Sequence, residues 1–190
     1  MKKRSNNVPK LKTLLFALAL LLVCNRVQAQ FYSAKVDVLG LAMGTFNVEG
    51  SMAINSQWSL HLPVQYNPWT LWDNKKFKNM TALPGIRYWQ SETYQGGLFF
   101  GANAIISRYN IGGIFGSKYR YDGMGYGIGF SAGYSIPVKK QWNIEFELGA
   151  GAVWSKRNKY SCIRCGEKIG KESGVWMVPD KAAVSIVYLF

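Results

Sequence analysis

The stretch "GMGYGIGFSAGYSIPVKKQWNIEFELGAGAVW", Gly123 to Trp154, decides how the rest of the chain is read. Its first half alternates strictly: Met124, Tyr126, Ile128, Phe130, Ala132, Tyr134 and Ile136 on one face, Gly125, Gly127, Gly129, Ser131, Gly133 and Ser135 on the other. After "PVKKQ" the pattern resumes, with Trp142, Ile144, Phe146, Leu148, Ala150, Ala152 and Trp154 against Asn143, Glu145, Glu147, Gly149 and Gly151. A period of two marks β-strands with unlike faces. In a soluble sandwich the face opposite the apolar one is solvated and rich in Lys and Glu, and a row of glycines would be wasted there. Lipid outside and a tight polar lumen inside accounts for both faces.

Working outward, the same period predicts strands over 34–42, 48–54, 58–66, 81–89, 97–107 and 182–190, while no convincing helical period appears. The fold class expected is all-β, an eight-stranded antiparallel up-and-down transmembrane β-barrel. The connections "NSQ" (55–57), "QSETYQ" (90–95) and "PVKKQ" (137–141) are short, and those through 43–47, 67–80, 108–123 and 156–180 are mostly longer. That asymmetry is the one seen between the periplasmic turns and outer loops of such barrels. Aromatics mark two interfacial girdles, Trp58, Tyr88, Trp89, Tyr134, Trp142 and Tyr188 low, Tyr66, Trp69, Tyr126 and Trp154 high. Pro84 removes a ladder hydrogen bond and implies a bulge. The closing alternation Val184, Ile186, Tyr188, Phe190 resembles the C-terminal signal that delivers outer-membrane barrels for assembly.

At the other end, Lys2, Lys3, Arg4, Lys10 and Lys12 precede an apolar run from Leu14 to Val23 and the small-residue stretch "VQA". Residues 1–29 are therefore expected to be a secretory signal peptide, with 30–190 the barrel of a Gram-negative outer membrane. The run is too short for a bilayer-spanning helix. Cys24 sits where a lipoprotein would be processed, but Val23 before it is bulkier than such a site accepts. The chain carries 23 Lys+Arg and 10 Asp+Glu. Six of the basic residues lie in 1–29, which leaves 17 against 10, a net +7. An exported chain with no basic helix points away from nucleic acid and toward anionic glycans or lipopolysaccharide phosphates.

Six segments then carry a family resemblance: "YNPWTLWDNKKFKN" (66–79), "PGIRYW" (84–89), "YNIGGIF" (109–115), "KYRYDGMGYGIGFSAGY" (118–134), "QWNIEFELGAG" (141–151) and "KYSCIRCGEKIG" (159–170). Together they resemble a family of small, uncharacterised outer-membrane proteins from Bacteroides and its relatives, classed as a domain of unknown function. The resemblance implies an outer-membrane barrel, with some members encoded near fimbrial or surface-glycan genes, and no established activity. Gly85 departs from the acidic residue expected two positions before the family's arginine.

The candidate sites follow from the strand reading. Lys35, Asp37, Glu49, Arg87, Glu145, Glu147 and Lys181 point inward, and Asp37, Arg87, Glu145 and Glu147 form the lumen charge cluster expected to plug so narrow a barrel. On the outer loop, Cys162 and Cys165 default to a disulfide outside the inner membrane, free thiols and metal shared between molecules being the alternatives. A zinc site would need two more soft ligands, and His61 lies on a distant strand. Lys156, Arg157, Lys159, Arg164, Lys168 and Lys171 give the same loop a basic surface for an anionic ligand, or a solvated rim facing lipopolysaccharide. Catalysis would need a nucleophile and a base, and Ser59 with His61 is the single candidate, at the wrong end for outer-leaflet lipid A chemistry. The expected function is thus non-enzymatic and cofactor-free. It is a surface interaction or accessory module with a protein or glycan partner, fimbrial or glycan-uptake machinery being the setting the resemblance implies, or else a purely structural envelope barrel.

Overall fold

The computed structural model describes residues 32–70, 76–113, 119–161 and 166–190. They form one antiparallel sheet of nine strands: β1 (Tyr32–Asp37), β2 (Phe46–Ala53), β3 (Trp58–Asn67), β4 (Lys76–Ala82), β5 (Gly85–Trp89), β6 (Gly97–Gly112), β7 (Arg120–Lys139), β8 (Trp142–Tyr160) and β9 (Lys168–Leu189). Strands pair in sequence order and β9 pairs with β1, so the sheet closes into a ring of eight positions. Two strands share one position: β4 pairs with the upper part of β3 and β6, and β5 with the lower part. Leu83 and Pro84 interrupt them, which is where the proline predicts an irregularity.

From Pro179 on β9 the cross-strand partners run through Ala150, Phe130, Ala102, Ile86, Leu60, Met52 and Tyr32. The circuit returns to the chain at Phe190, whose N–H donates to the Tyr32 carbonyl. The displacement from Pro179 to Phe190 in one turn means that the strands are tilted against the ring axis, as closure of a small sheet requires.

The ring carries large apolar side chains on its outer face and charges in its interior. Phe130 and Leu148 are 66% and 71% exposed on the outer face, in a band with Leu60, Leu62, Ile128, Phe146 and Ile186. The interior holds Lys35, Glu49, Arg87, Glu145 and Glu147, all buried. Below these charges, toward the short turns, Trp89, Tyr94, Phe99, Val187 and Leu189 pack as an apolar floor, with Trp89 5.0 Å from Phe99 and 5.6 Å from Tyr94 between ring centroids. Leu83, Ile105 and Val153 form a smaller cluster with Val178. The glycine face leaves room for these side chains: a Cβ on Gly133 would collide with the Phe99 ring.

Three expectations are corrected. The first predicted strand does not run to 42. Asp37 stops it by accepting hydrogen bonds from the N–H groups of Leu39 and Gly40, and so caps a five-residue helix, α1 (Val38–Ala42), which Gly44 ends at φ +80°. Trp89 belongs to no girdle: the β5 alternation puts Ile86 and Tyr88 outside and Arg87 and Trp89 inside, where Trp89 is fully buried. The long upper connections are largely strand, because β6 to β9 continue well past the outer apolar band.

Candidate functional site

Adjacent strands bring the interior charges to one level. Lys35 Nζ lies 3.1 Å from both Glu145 Oε2 and Glu147 Oε2 and 3.3 Å from Glu49 Oε2. Arg87 Nη2 reaches Glu147 Oε2 at 2.6 Å and Glu49 Oε1 at 3.0 Å, while Nη1 lies 3.4 Å from Glu145 Oε2. Lys181 Nζ and Ser131 Oγ donate to Glu147 Oε1 at 2.9 and 2.8 Å. Three carboxylates thus meet three cations in the buried interior, the arrangement in which buried charge is tolerated. The Arg87 guanidinium also lies 4.7 Å above the Phe99 ring, which joins the ionic layer to the apolar floor.

Arg87, Glu145 and Glu147 therefore meet, whereas Asp37 stands apart. Its carboxylate is spent on α1 and on the Val184 N–H at 3.1 Å, because the β-ladder that would carry it inward ends at that residue. Lys35, Glu49 and Lys181, inward by parity alone, are full members of the cluster.

His61 extends the network. Its Nδ1 is 2.7 Å from Glu49 Oε1, its Nε2 is 2.6 Å from Ser59 Oγ, and the Trp89 indole N–H donates to the same Oγ at 2.8 Å. This chain has the connectivity of a hydrolytic triad. Its surroundings differ, since Ser59 is 0% exposed and Glu49 is also held by Lys35 and Arg87. Tyr94 was not foreseen. A left-handed backbone at φ 66° folds it from the 90–96 turn into the interior, where its hydroxyl meets Ser51 at 2.6 Å and its carbonyl accepts from Asn143 Nδ2.

A second grouping lies on the projecting sheet. Arg157 stacks on Tyr121 at 4.3 Å and on Trp176 at 4.5 Å, and pairs with Glu172 at 2.8 Å. Lys159 pairs with Glu172 at 3.2 Å and lies 4.4 Å over Tyr119. Lys156 sits on Trp154 and Arg120 on Tyr160. The hydrogen bonds from Arg157 and Lys159 hold the Glu172 carboxyl below its ordinary range, and Glu172 raises the Lys159 ammonium. Lys168 and Lys171 are exposed near the tip. Cys162, Arg164 and Cys165 lie outside the described residues, as do 1–29. Among the described residues no group of three or more His, Cys, Asp or Glu is placed to hold a metal ion, and no helix is long and apolar enough to cross a membrane.

Neither curated proteins nor solved structures yield a match to this chain. A family profile does match, over residues 15–190, which is nearly the whole sequence and every element of the ring. The chain therefore belongs to the family described as protein of unknown function (DUF3575).

Proposed function

We propose that the ring is an eight-stranded transmembrane β-barrel of a Gram-negative outer membrane, plugged by its ion cluster rather than channel-forming, and that it carries its upper sheet as a non-enzymatic surface interaction module. The observation that carries this reading is the inversion of polarity: aromatic and aliphatic side chains outside, an ion cluster inside. The strands suit it in length. β7, β8 and β9 are 20, 19 and 22 residues long, against the roughly 9–11 that cross a bilayer, so each continues beyond the apolar band. A plugged lumen suits a scaffold better than a pore, and the fully buried Ser59 suits a structural network better than a nucleophile, which must reach a substrate.

The upper sheet supports an anionic glycan as the partner, since Lys156, Lys168 and Lys171 add cations to a patch in which Glu172 offsets one charge of Arg157 and Lys159, with Arg157 held against Tyr121 and Trp176. Lipopolysaccharide core phosphates are the nearest source of that chemistry. The test has two arms. Leu148→Arg on the outer band should weaken the folded state in vesicles by about 2–4 kcal/mol, as charge at mid-bilayer does; an unchanged urea midpoint would sink the membrane reading. Phosphorylated core oligosaccharide should bind the protein in neutral nanodiscs, with affinity falling about tenfold or more in Arg157→Ala/Trp176→Ala. No binding by the wild-type protein would leave the envelope-scaffold reading in its place.

A further inference from the structure

β9 is paired with β8 along nearly its whole length, yet it pairs with β1 only between Ser185 and Leu189. Above Ser185 its other edge meets no strand among the described residues, and α1 lies against it instead. Beside α1 that edge withholds two of its N–H positions from a partner strand. Asp37 Oδ1 accepts the Val184 N–H at 3.1 Å, and at Pro179 there is no N–H to offer. Prolines within sheets are confined to places where the missing donor faces no ladder neighbour, and they are a recognised guard against strand addition. The seam between α1 and β9 is thus a built interruption of the wall. α1 turns Val38, Leu39 and Leu41 outward, as apolar as the band on either side, and Met43 just after it stands at the mouth of the seam.

Behind the seam lies a cavity of about 410 Å³. Met43, Val48, Val64, Pro179 and Ala182 line it toward the wall, and Lys35, Glu49, Glu147 and Lys181 line its floor. Its volume falls in the range of small-molecule sites. Non-helical backbone at membrane depth is tolerated where it lines a cavity, which is the situation here.

We propose that this seam is a side entrance from the bilayer, and that the cavity takes a single-chain amphiphile with a small hydroxyl-bearing head, the head on the ionic floor and the acyl chain passing between α1 and β9. This rests on the membrane reading above. A head without negative charge fits because the three carboxylates and three cations of the cluster already balance, and Asp180 adds a further carboxylate to the lining. Hydroxyls fit because, among the described residues, the Lys181 ammonium is engaged by Glu147 alone and Asp180 beside it keeps an oxygen without a hydrogen-bond partner. Gln65 and Asn79 add side-chain amides to the same wall.

The probe is a monoacylglycerol carrying a diazirine along its chain, photolysed with the full chain in nanodiscs and mapped by peptide mass spectrometry. Saturable labelling concentrated in the peptides of Met43, Val64 and Pro179 to Ala183, displaced by unlabelled monoacylglycerol, is expected. Ala183→Trp, which fills the cavity opposite Glu147, should reduce it about tenfold while labelling at Phe130 and Leu148 persists. Even labelling around the whole outer band, with no displaceable excess at the seam, overturns the side entrance and leaves the barrel standing. Absence of label at Phe130 and Leu148 as well overturns the membrane reading itself. The displacement arm needs no variant and so decides the matter even if Ala183→Trp fails to assemble.

Discussion

Replacing Arg87 by Met should cost more stability than any other single change in the interior. The guanidinium is 2% exposed and stands within 3.4 Å of three carboxylates, Glu49, Glu145 and Glu147. Without it, Lys35 and Lys181 face three negative charges, one of them uncompensated in the buried interior. Each close contact is worth a few kcal/mol of gross Coulomb energy at an effective dielectric near 20, most of it offset by the desolvation of both partners. The net loss on breaking such a buried group is about 3–5 kcal/mol. With a urea dependence of about 2 kcal/mol per molar, the unfolding midpoint in lipid vesicles should fall by about 2 M, followed by tryptophan fluorescence or by the heat-dependent shift in gel mobility. The companion is Arg87→Met/Glu147→Gln, which restores two cations against two anions. It should recover most of the loss, because balance rather than the arginine itself is at stake. A single variant within 1 kcal/mol of the wild type, or a double variant worse than both singles together, would refute this account of the interior.

Asp37→Ala removes the α1 cap and the acceptor for Val184; a loss of about 1 kcal/mol is expected, with faster amide exchange at Leu39, Gly40 and Val184, and partial rescue by Asp37→Asn. Gly133→Val drives a side chain into the Phe99 ring and should lower stability by about 1–3 kcal/mol or block assembly, whereas Gly170→Val, with open space around it, should be silent in the same urea titration. Glu172 has its carboxyl depressed by Arg157 and Lys159, so its contribution is present above the unfolded carboxylate range and lost as pH falls through the lower folded value. Amide exchange at the tip of the β8–β9 hairpin should therefore quicken below about pH 4, and Glu172→Gln should abolish that pH dependence.

Gly85 shows how a departure from expectation finds its cause in packing. A side chain there would meet the Ala102 carbonyl at 2.5 Å and Asn103 Cβ at 2.7 Å, so the acidic residue anticipated at that position has no space. The interior is neutralised instead by Glu49, Glu145 and Glu147 from the other strands.

Parity along the strands was enough to determine that the chain is all-β, which side chains face in and which face out, and that the inner face is charged and glycine-rich, because a pleated strand alternates its side chains whatever its neighbours do. It could not say which inward residues touch. Lys35 meets Glu145 and Glu147 across the closure of the ring, a contact set by register and tilt, and both are properties of the whole circuit. Asp37 shares the parity of Lys35 and still leaves the cluster, since its side chain satisfies the helix that begins beside it. Trp89 looked interfacial because tryptophan often is, but β5 restarts after Pro84 with its indole inward, where the Ser59 hydroxyl accepts its N–H. The upper connections read as loops because their apolar faces thin out above the band, and cross-strand stacking of Arg157 between Tyr121 and Trp176 extends them as sheet without a hydrophobic period to announce it. The seam beside β9 was hidden for the same reason: an unpaired edge is a relation between strands, and only closure of the sheet reveals which edge is left over.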